Sequence, residues 1–305
     1  MNKTTNAKFQ RFKKDSFYWI LMIWPIIWFL VFYVYLNSSS VIYAFMQFKD
    51  NKYVWNGLNN FKRVFTGFFS DPVLSIGLKH SFFVYFFGFF AGLFLGQLFS
   101  FYIYKAFPFS KFFRTILFLP SIIPGIAFVL CFKYITDRVI PNVYNKITGN
   151  FMEGLLSNPD TAFQTLVFYF FWVGYAGSTV IYSNAMKNNI GDEMIEAALM
   201  EGLTGIKEYF YITFPLIFPT MQIFILTDIG AILTNGLNIY SFYGESADPS
   251  IYMVGYYLFN ENLHSSSFTI PYLSALNIIV GLIPVPIVFL VKHFTDKYID
   301  NLSIY

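Results

Sequence analysis

Six long stretches with almost no charge decide what this chain can become. They cover residues 16–36, 81–104, 115–132, 161–186, 213–235 and 268–291, and Asp228 is the only charged side chain in any of them. A helix needs about 20 apolar residues to cross the hydrocarbon core of a bilayer. Inside that core each backbone N–H and C=O must find a partner within the segment, which makes such runs helices. The expected fold class is therefore an all-α integral membrane protein with six transmembrane helices. Composition excludes the soluble alternative, because only 12% of the 305 residues are charged and 56% are hydrophobic. So few charges cannot cover the surface of one or two water-soluble domains.

Orientation follows from the basic residues. Lys3, Lys8, Arg11, Lys13 and Lys14 precede the first run, and a basic cluster beside the first span is retained on the cytoplasmic side. That run is longer than the apolar part of a secretory signal, and no small-residue cleavage site follows it, so it is expected to stay as a span. Both termini then face the cytoplasm, with residues 1–15 as a basic tail, 16–296 as the transmembrane domain and 297–305 as a second tail. Twelve of the 20 Lys and Arg fall on the cytoplasmic side. They are not clustered with aromatics in a polar segment, so lipid is an expected partner and nucleic acid is not. Cys131 stands alone in an apolar run and reads as a small packing residue. His80, His264 and His293 are too scattered for a metal site, and no catalytic motif occurs, so an enzyme is not expected.

Within the spans, Gly88, Gly92 and Gly96 recur every fourth residue. That spacing allows a neighbouring helix to approach closely, or else lines a path for solute. Asp228 is the one intramembrane acid, and such residues are functional by default because burying them is expensive. Thr227, Asn235 and Asn238 lie near it in sequence, and on a continuous helix Asn235 would share its face. Asp228, Asn235 and Asn238, with Trp172, Tyr175 and Asn277, are the candidate substrate pathway. A structural hydrogen bond from Asp228 to a neighbouring helix remains an equal alternative. The loop at 236–271 has Glu245, Asp248 and Glu261 as its only acidic or basic charges, and reads as an external docking surface.

The loop between the fourth and fifth spans carries the most local information. Asp192 reads as a helix N-cap, Glu193 and Glu196 sit in the first turns where the helix dipole favours acids, and Gly202 reads as a left-handed stop. A second helical piece is expected over 204–214, ending at Pro215. Asp192, Glu193, Glu196, Glu201 and Glu208 outnumber Lys187 and Lys207, which suggests a basic receiving surface. Helices that merely lie in the lipid interface prefer basic polar faces, so the acidity favours docking to protein. Ala197 and Ala198 would let such a helix seat closely.

These residues resemble a known element. Glu196-Ala197-Ala198, then Gly202, Ile212 and Pro215, look like the EAA loop of binding-protein-dependent ABC importers, in particular the sugar and oligosaccharide permeases of the maltose and multiple-sugar type. Gly57-Leu58-Asn59-Asn60-Phe61, Leu119-Pro120 with Pro124, and Trp172 before Gly174 resemble further pieces of that family in the same order, and the whole is most similar to its first permease. Glu201 stands where aspartate is usual, Leu203 where a small residue is common, and Asn235-Gly236-Leu237 where the sugar permeases have Gly-Gly-Pro. The resemblance implies a cytoplasmic helix-turn-helix coupling (EAA) loop formed by Glu193, Glu196, Ala197, Ala198, Glu201, Gly202, Ile212 and Pro215. It also implies a second homologous permease, two ATPase subunits and an extracytoplasmic solute-binding protein in a bacterial inner membrane. No Gly-Lys pair occurs, hence no phosphate-binding P-loop. ATP and Mg belong to the partner ATPase in this reading, and this chain binds no cofactor. An ABC permease for a non-sugar solute is the alternative, and an ion-coupled secondary transporter or channel a more distant one.

Overall fold

The computed structural model describes residues 17–302, with the side chains at 89–91, 121, 175, 176 and 302 left out. The basic tail at 1–15 lies outside the described residues. Among those described, five helices are long and apolar enough to cross a membrane, and a sixth candidate is a helix pair broken in the middle. By their contacts the residues group into two units, one holding those up to 65 together with 264–279, the other 66–263 and 280 onward.

In the first unit, α1 (Phe17–Ala44) runs 28 residues with its apolar side chains exposed. A π-helical turn at Phe29–Tyr35 loosens the backbone ladder, and the Asn37 amide donates to Tyr33 O at 2.8 Å, so a polar side chain within the span is satisfied locally. An antiparallel hairpin follows, β1 (Met46–Lys49) and β2 (Lys52–Trp55), with Gln47 opposite Val54. Its two turn residues, Asp50 and Asn51, both have positive φ, a conformation these two side chains tolerate best after glycine. Buried Asn60 then pins the hairpin to the end of α1, donating to Ala44 O at 2.9 Å and Met46 O at 2.6 Å.

After the short α2 (Asn59–Ser70), the second unit is organised by α3 (Pro72–Tyr104) and α6 (Pro159–Asn189). Both begin in the same way. Asp71 accepts from Val73 N–H at 2.9 Å and Asn158 from Asp160 N–H at 2.9 Å, each immediately before a proline whose fixed φ suits a first helical turn. The Ser100 hydroxyl links the pair by donating to Thr179 O at 3.1 Å.

Between them the third span departs from the continuous helix expected over 115–132. It is broken into α4 (Ser110–Ile122) and α5 (Gly125–Thr148), with a bend of 103°. Pro124 forces its predecessor Ile123 into extended backbone, φ −75° and ψ 134°, and a helix cannot run through that conformation. Cys131, on α5, is exposed and not packed as expected.

After α7 (Asp192–Met200), α8 (Ile206–Gly230) forms the fifth span, then come α9 (Ile239–Tyr243), α10 (Val254–Leu263) and α11 (Ile270–Asn301). Two apolar clusters stand out among the described residues of the second unit. One gathers Phe132, Leu166, Tyr169, Phe242, Ile251 and Tyr256. The other gathers Phe101, Tyr182, Met186, Tyr209, Ile217 and Ile225, with Val288 and Val291 of α11 against it. Gln222 ties α8 to α11, donating to Thr295 Oγ1 at 2.7 Å and Asp296 Oδ1 at 2.5 Å.

Candidate functional site

Between α3, α6 and α8 lies a cavity of about 380 Å³. Glycine makes room for it: Gly88 and Gly92 on α3 and Gly174 and Gly177 on α6 all line the space. A Cβ on Gly88 would lie 2.6 Å from the Phe171 ring, whereas one on Gly174 or Gly177 would meet nothing within 4 Å. The stripe on α3 therefore serves close packing and cavity lining together, while Gly96, one step further along, is buried outside the lining.

Asp228 lines this cavity and, among the described residues, is the only charged one that does. Its side chain is exposed to the open space, and among the described residues it makes no ion pair. Ser81, Ser178 and Asn235 supply neutral polar groups, and Tyr85, Tyr182, Phe170, Phe171 and Phe224 supply rings.

Asn235 reaches the cavity by a different route from the one expected. The fifth span does not continue to 235. It ends at Gly230, where the Ala231 N–H bonds Thr227 O and Asp228 O, and residues 231–234 form a turn. Asn235 closes the turn by accepting the Leu237 N–H at 2.9 Å. The turn rests against the start of α10, where a Cβ on Gly255 would lie 2.3 Å from Thr234 O. Ser81 braces the same start, its hydroxyl accepting the Val254 N–H at 3.2 Å.

The other pathway candidates fall elsewhere. Trp172 is not in the lining; it packs in the apolar cluster, 5.3 Å from the Phe128 ring and 6.1 Å from Phe132. Asn238, at φ +55°, and Asn277 are exposed and not in the lining, nor is Thr227. The side chain of Tyr175 lies outside the described set. Sequence reading missed Ser81, Tyr85, Ser178, Tyr182 and Phe224. One signal was available, since Gly174, Gly177 and Ser178 stand at i, i+3 and i+4 on α6 and so share a face with little side-chain bulk.

Beyond the cavity, the region at 239–263 is folded into short helices. Lys133 donates to Phe242 O at 2.7 Å and its ammonium lies 5.4 Å from the centre of the Tyr243 ring. The Tyr243 hydroxyl donates to Leu156 O at 2.6 Å. Burial raises the pKa of Tyr243 and pushes that of Tyr256 up to about 12, so both stay protonated donors.

The helix–turn–helix forms at the predicted place with altered ends. Gly191, not Asp192, occupies the N-cap position of α7, and Asp192 and Glu193 form its first turn, facing the positive end of the helix dipole. Its far end is a Schellman motif. Gly202 takes φ +75°, its N–H bonds Leu199 O at 3.0 Å, and the Leu203 N–H bonds Ala198 O at 2.9 Å. The second piece does not stop at Pro215. α8 passes through it, with a π-helical stretch at Tyr209–Thr213 that loosens the ladder ahead of the proline ring.

Burial divides the loop residues. Ala198 is buried, Ile212 and Pro215 are half-buried, and Ile195 and Ile212 pack against the cluster around Met186. Glu193, Glu196, Ala197, Glu201 and Gly202 are exposed. So are Met194, Leu199, Ile206 and Phe210, with Met200 at 90% and Tyr211 at 72%. Glu208 leaves the set of surface acids: it is 2% exposed and its carboxylate meets Lys105 Nζ at 2.8 Å. A charge in that position needs a local partner and is not on offer to another protein.

A solute-sized space walled by spans, with one carboxylate inside it, defines a multi-pass α-helical membrane transport protein. Residues 85–299 match the family model of the binding-protein-dependent transport system inner membrane component, and the chain belongs to that family. It is thus a permease subunit of an ABC importer, the membrane component and not the enzyme of such a system. Among curated relatives, it is 24% identical to the multiple sugar-binding transport system permease protein MsmF of Streptococcus mutans, over 90% of this chain and 95% of that one. It is 30% identical to the probable ABC transporter permease protein YesP of Bacillus subtilis, over 70% and 69%. A crystal structure of a bacterial ABC transporter involved in import of the acidic polysaccharide alginate contains a chain of the same fold, with a TM-score of 0.75 at 20% identity over 95% of this chain and 99% of that one.

Proposed function

We propose that this permease moves a sugar or oligosaccharide inward by alternating access, driven by ATP and Mg bound on separate ATPase subunits. The similarity to a sugar permease along nearly the whole of both chains carries the substrate class. The ATPases would dock on α7 and the start of α8. In support, that element holds exposed Met194, Leu199, Met200, Ile206 and Tyr211 beside the acids Asp192, Glu193, Glu196 and Glu201, an apolar patch in an acidic frame that a basic-rimmed protein groove would cover. Movement of the docked helix would pass into the fifth span, because α8 continues through Pro215 as one helix. A second homologous permease would complete the path, an extracytoplasmic solute-binding protein would deliver the solute, and both termini would lie in the cytoplasm of a bacterial cell whose inner membrane holds the complex.

Three measurements test this. Gly202→Asp or Glu196→Lys should abolish co-purification of the ATPase while leaving membrane insertion intact; undiminished co-purification with both would move the docking site elsewhere. Cells lacking the chain should lose uptake of a radiolabelled saccharide from a panel of neutral and charged oligosaccharides. Solute flux by the chain reconstituted alone, driven by a gradient, would sink the ATPase-driven reading.

A further inference from the structure

We propose that Asp228 makes the cavity a charge filter, admitting neutral and ammonium-bearing saccharides and rejecting uronates. This rests on the reading of the chain as a saccharide permease, and concerns which saccharides pass.

The residues lining the cavity include the polar Ser81, Ser178, Tyr85, Tyr182 and Asn235, and among the described residues one acid, Asp228, and no base. A carboxylate accepts hydrogen bonds from sugar hydroxyls, and bonds to a charged acceptor are about twice as strong as neutral ones. Among the described residues no lysine or arginine lines the space to offset the charge. A second carboxylate on the solute would meet the first in a half-open, largely apolar space, where like charges repel more strongly than in bulk water. A potential built in this way discriminates through repulsion of the wrong solute as much as through attraction of the right one. At about 380 Å³ the cavity is within the range of small-molecule sites, and a saccharide seated in it would bring its own carboxylates into the space that Asp228 lines. The fold itself does not impose this, since the same fold occurs in a transporter that imports an acidic polysaccharide.

The test uses the full-length chain in lipid nanodiscs and saturation-transfer NMR, which reads weak binding. The probes are maltotriose, trigalacturonate and chitotriose with free amines. The expected result is transfer to maltotriose and chitotriose and none to trigalacturonate. Asp228→Asn should weaken maltotriose by about ten-fold, the loss of one bond to a charged acceptor. It should also let trigalacturonate bind, while Asp228→Glu, which keeps the charge, should preserve the original preference. Equal binding of maltotriose and trigalacturonate to the unmodified chain would overturn the filter and leave the saccharide reading standing. Binding of none of the three, repeated with the second permease co-reconstituted, would overturn both.

Discussion

The cavity and the helix–turn–helix are inverse surfaces. In the first, a carboxylate stands among rings and glycine within the spans; in the second, methionine, leucine and tyrosine side chains stand among carboxylates outside them. Each leaves something unmet when the chain is alone, an electrostatic demand at Asp228 and a hydrophobic one at Met200 and Tyr211. Groups of a similar kind elsewhere are answered within the chain: Glu208 has Lys105, and Ile195 has the cluster around Met186. On the proposed reading, what separates the candidate functional residues from the structural ones is the absence of an internal partner, and residue type alone does not.

That contrast is most sharply broken at Glu208. Glu208→Ala should strand the Lys105 ammonium at the base of the loop and destabilise the chain by about 3 kcal/mol, the lower end for a broken buried pair because Lys105 is partly reached by water. Thermal unfolding of the purified variant measures it, and a change near zero would mean that the pair is dispensable. Next in size is Gly255→Ala. Its methyl would collide with the backbone of Thr234 and Asn235, neither of which can move aside as a side-chain tip would. About 2 kcal/mol of overpacking is expected, together with displacement of Asn235 from the cavity. Unfolding reports the first effect, and maltotriose binding reports the second.

How much of this was legible beforehand depends on the range of the interactions concerned. The spans follow from hydropathy, a property of each segment by itself, and five of the six are continuous helices. The stop at Gly202 was legible because a Schellman motif is written within a few residues; it also shows how Leu203, unusual there, can be accepted, since the motif uses only its N–H. The break at Ile123 was signalled by Pro120 and Pro124, but a charge-free run hid it. The Lys105–Glu208 pair and the cavity were not legible, because each joins helices far apart in sequence. A glycine at four-residue spacing reads the same whether a neighbour fills its groove, as Phe171 does at Gly88, or leaves it open, as at Gly174. Asn235 lines the same cavity as Asp228, but not by the continuous helix expected to connect them, which ends at Gly230.

The two smallest effects separate the loop's shape from its surface. Gly202→Ala should cost about 1 kcal/mol, the penalty of a Cβ in left-handed backbone, since nothing within 4 Å crowds the site. A smaller loss, measured by unfolding, would mean that the turn relaxes. Met200→Ser removes an apolar side chain that is 90% exposed and touches no part of the core, so the stability of the isolated chain should change by less than about 0.5 kcal/mol. If that side chain is covered in the assembled transporter, ATPase retention on a column should nevertheless fall, because the lost burial is felt only across the interface. A destabilised chain with normal retention would reverse the assignment and make Met200 structural. Unchanged values in both would place the covered patch on the other rim, at Ile206 and Tyr211.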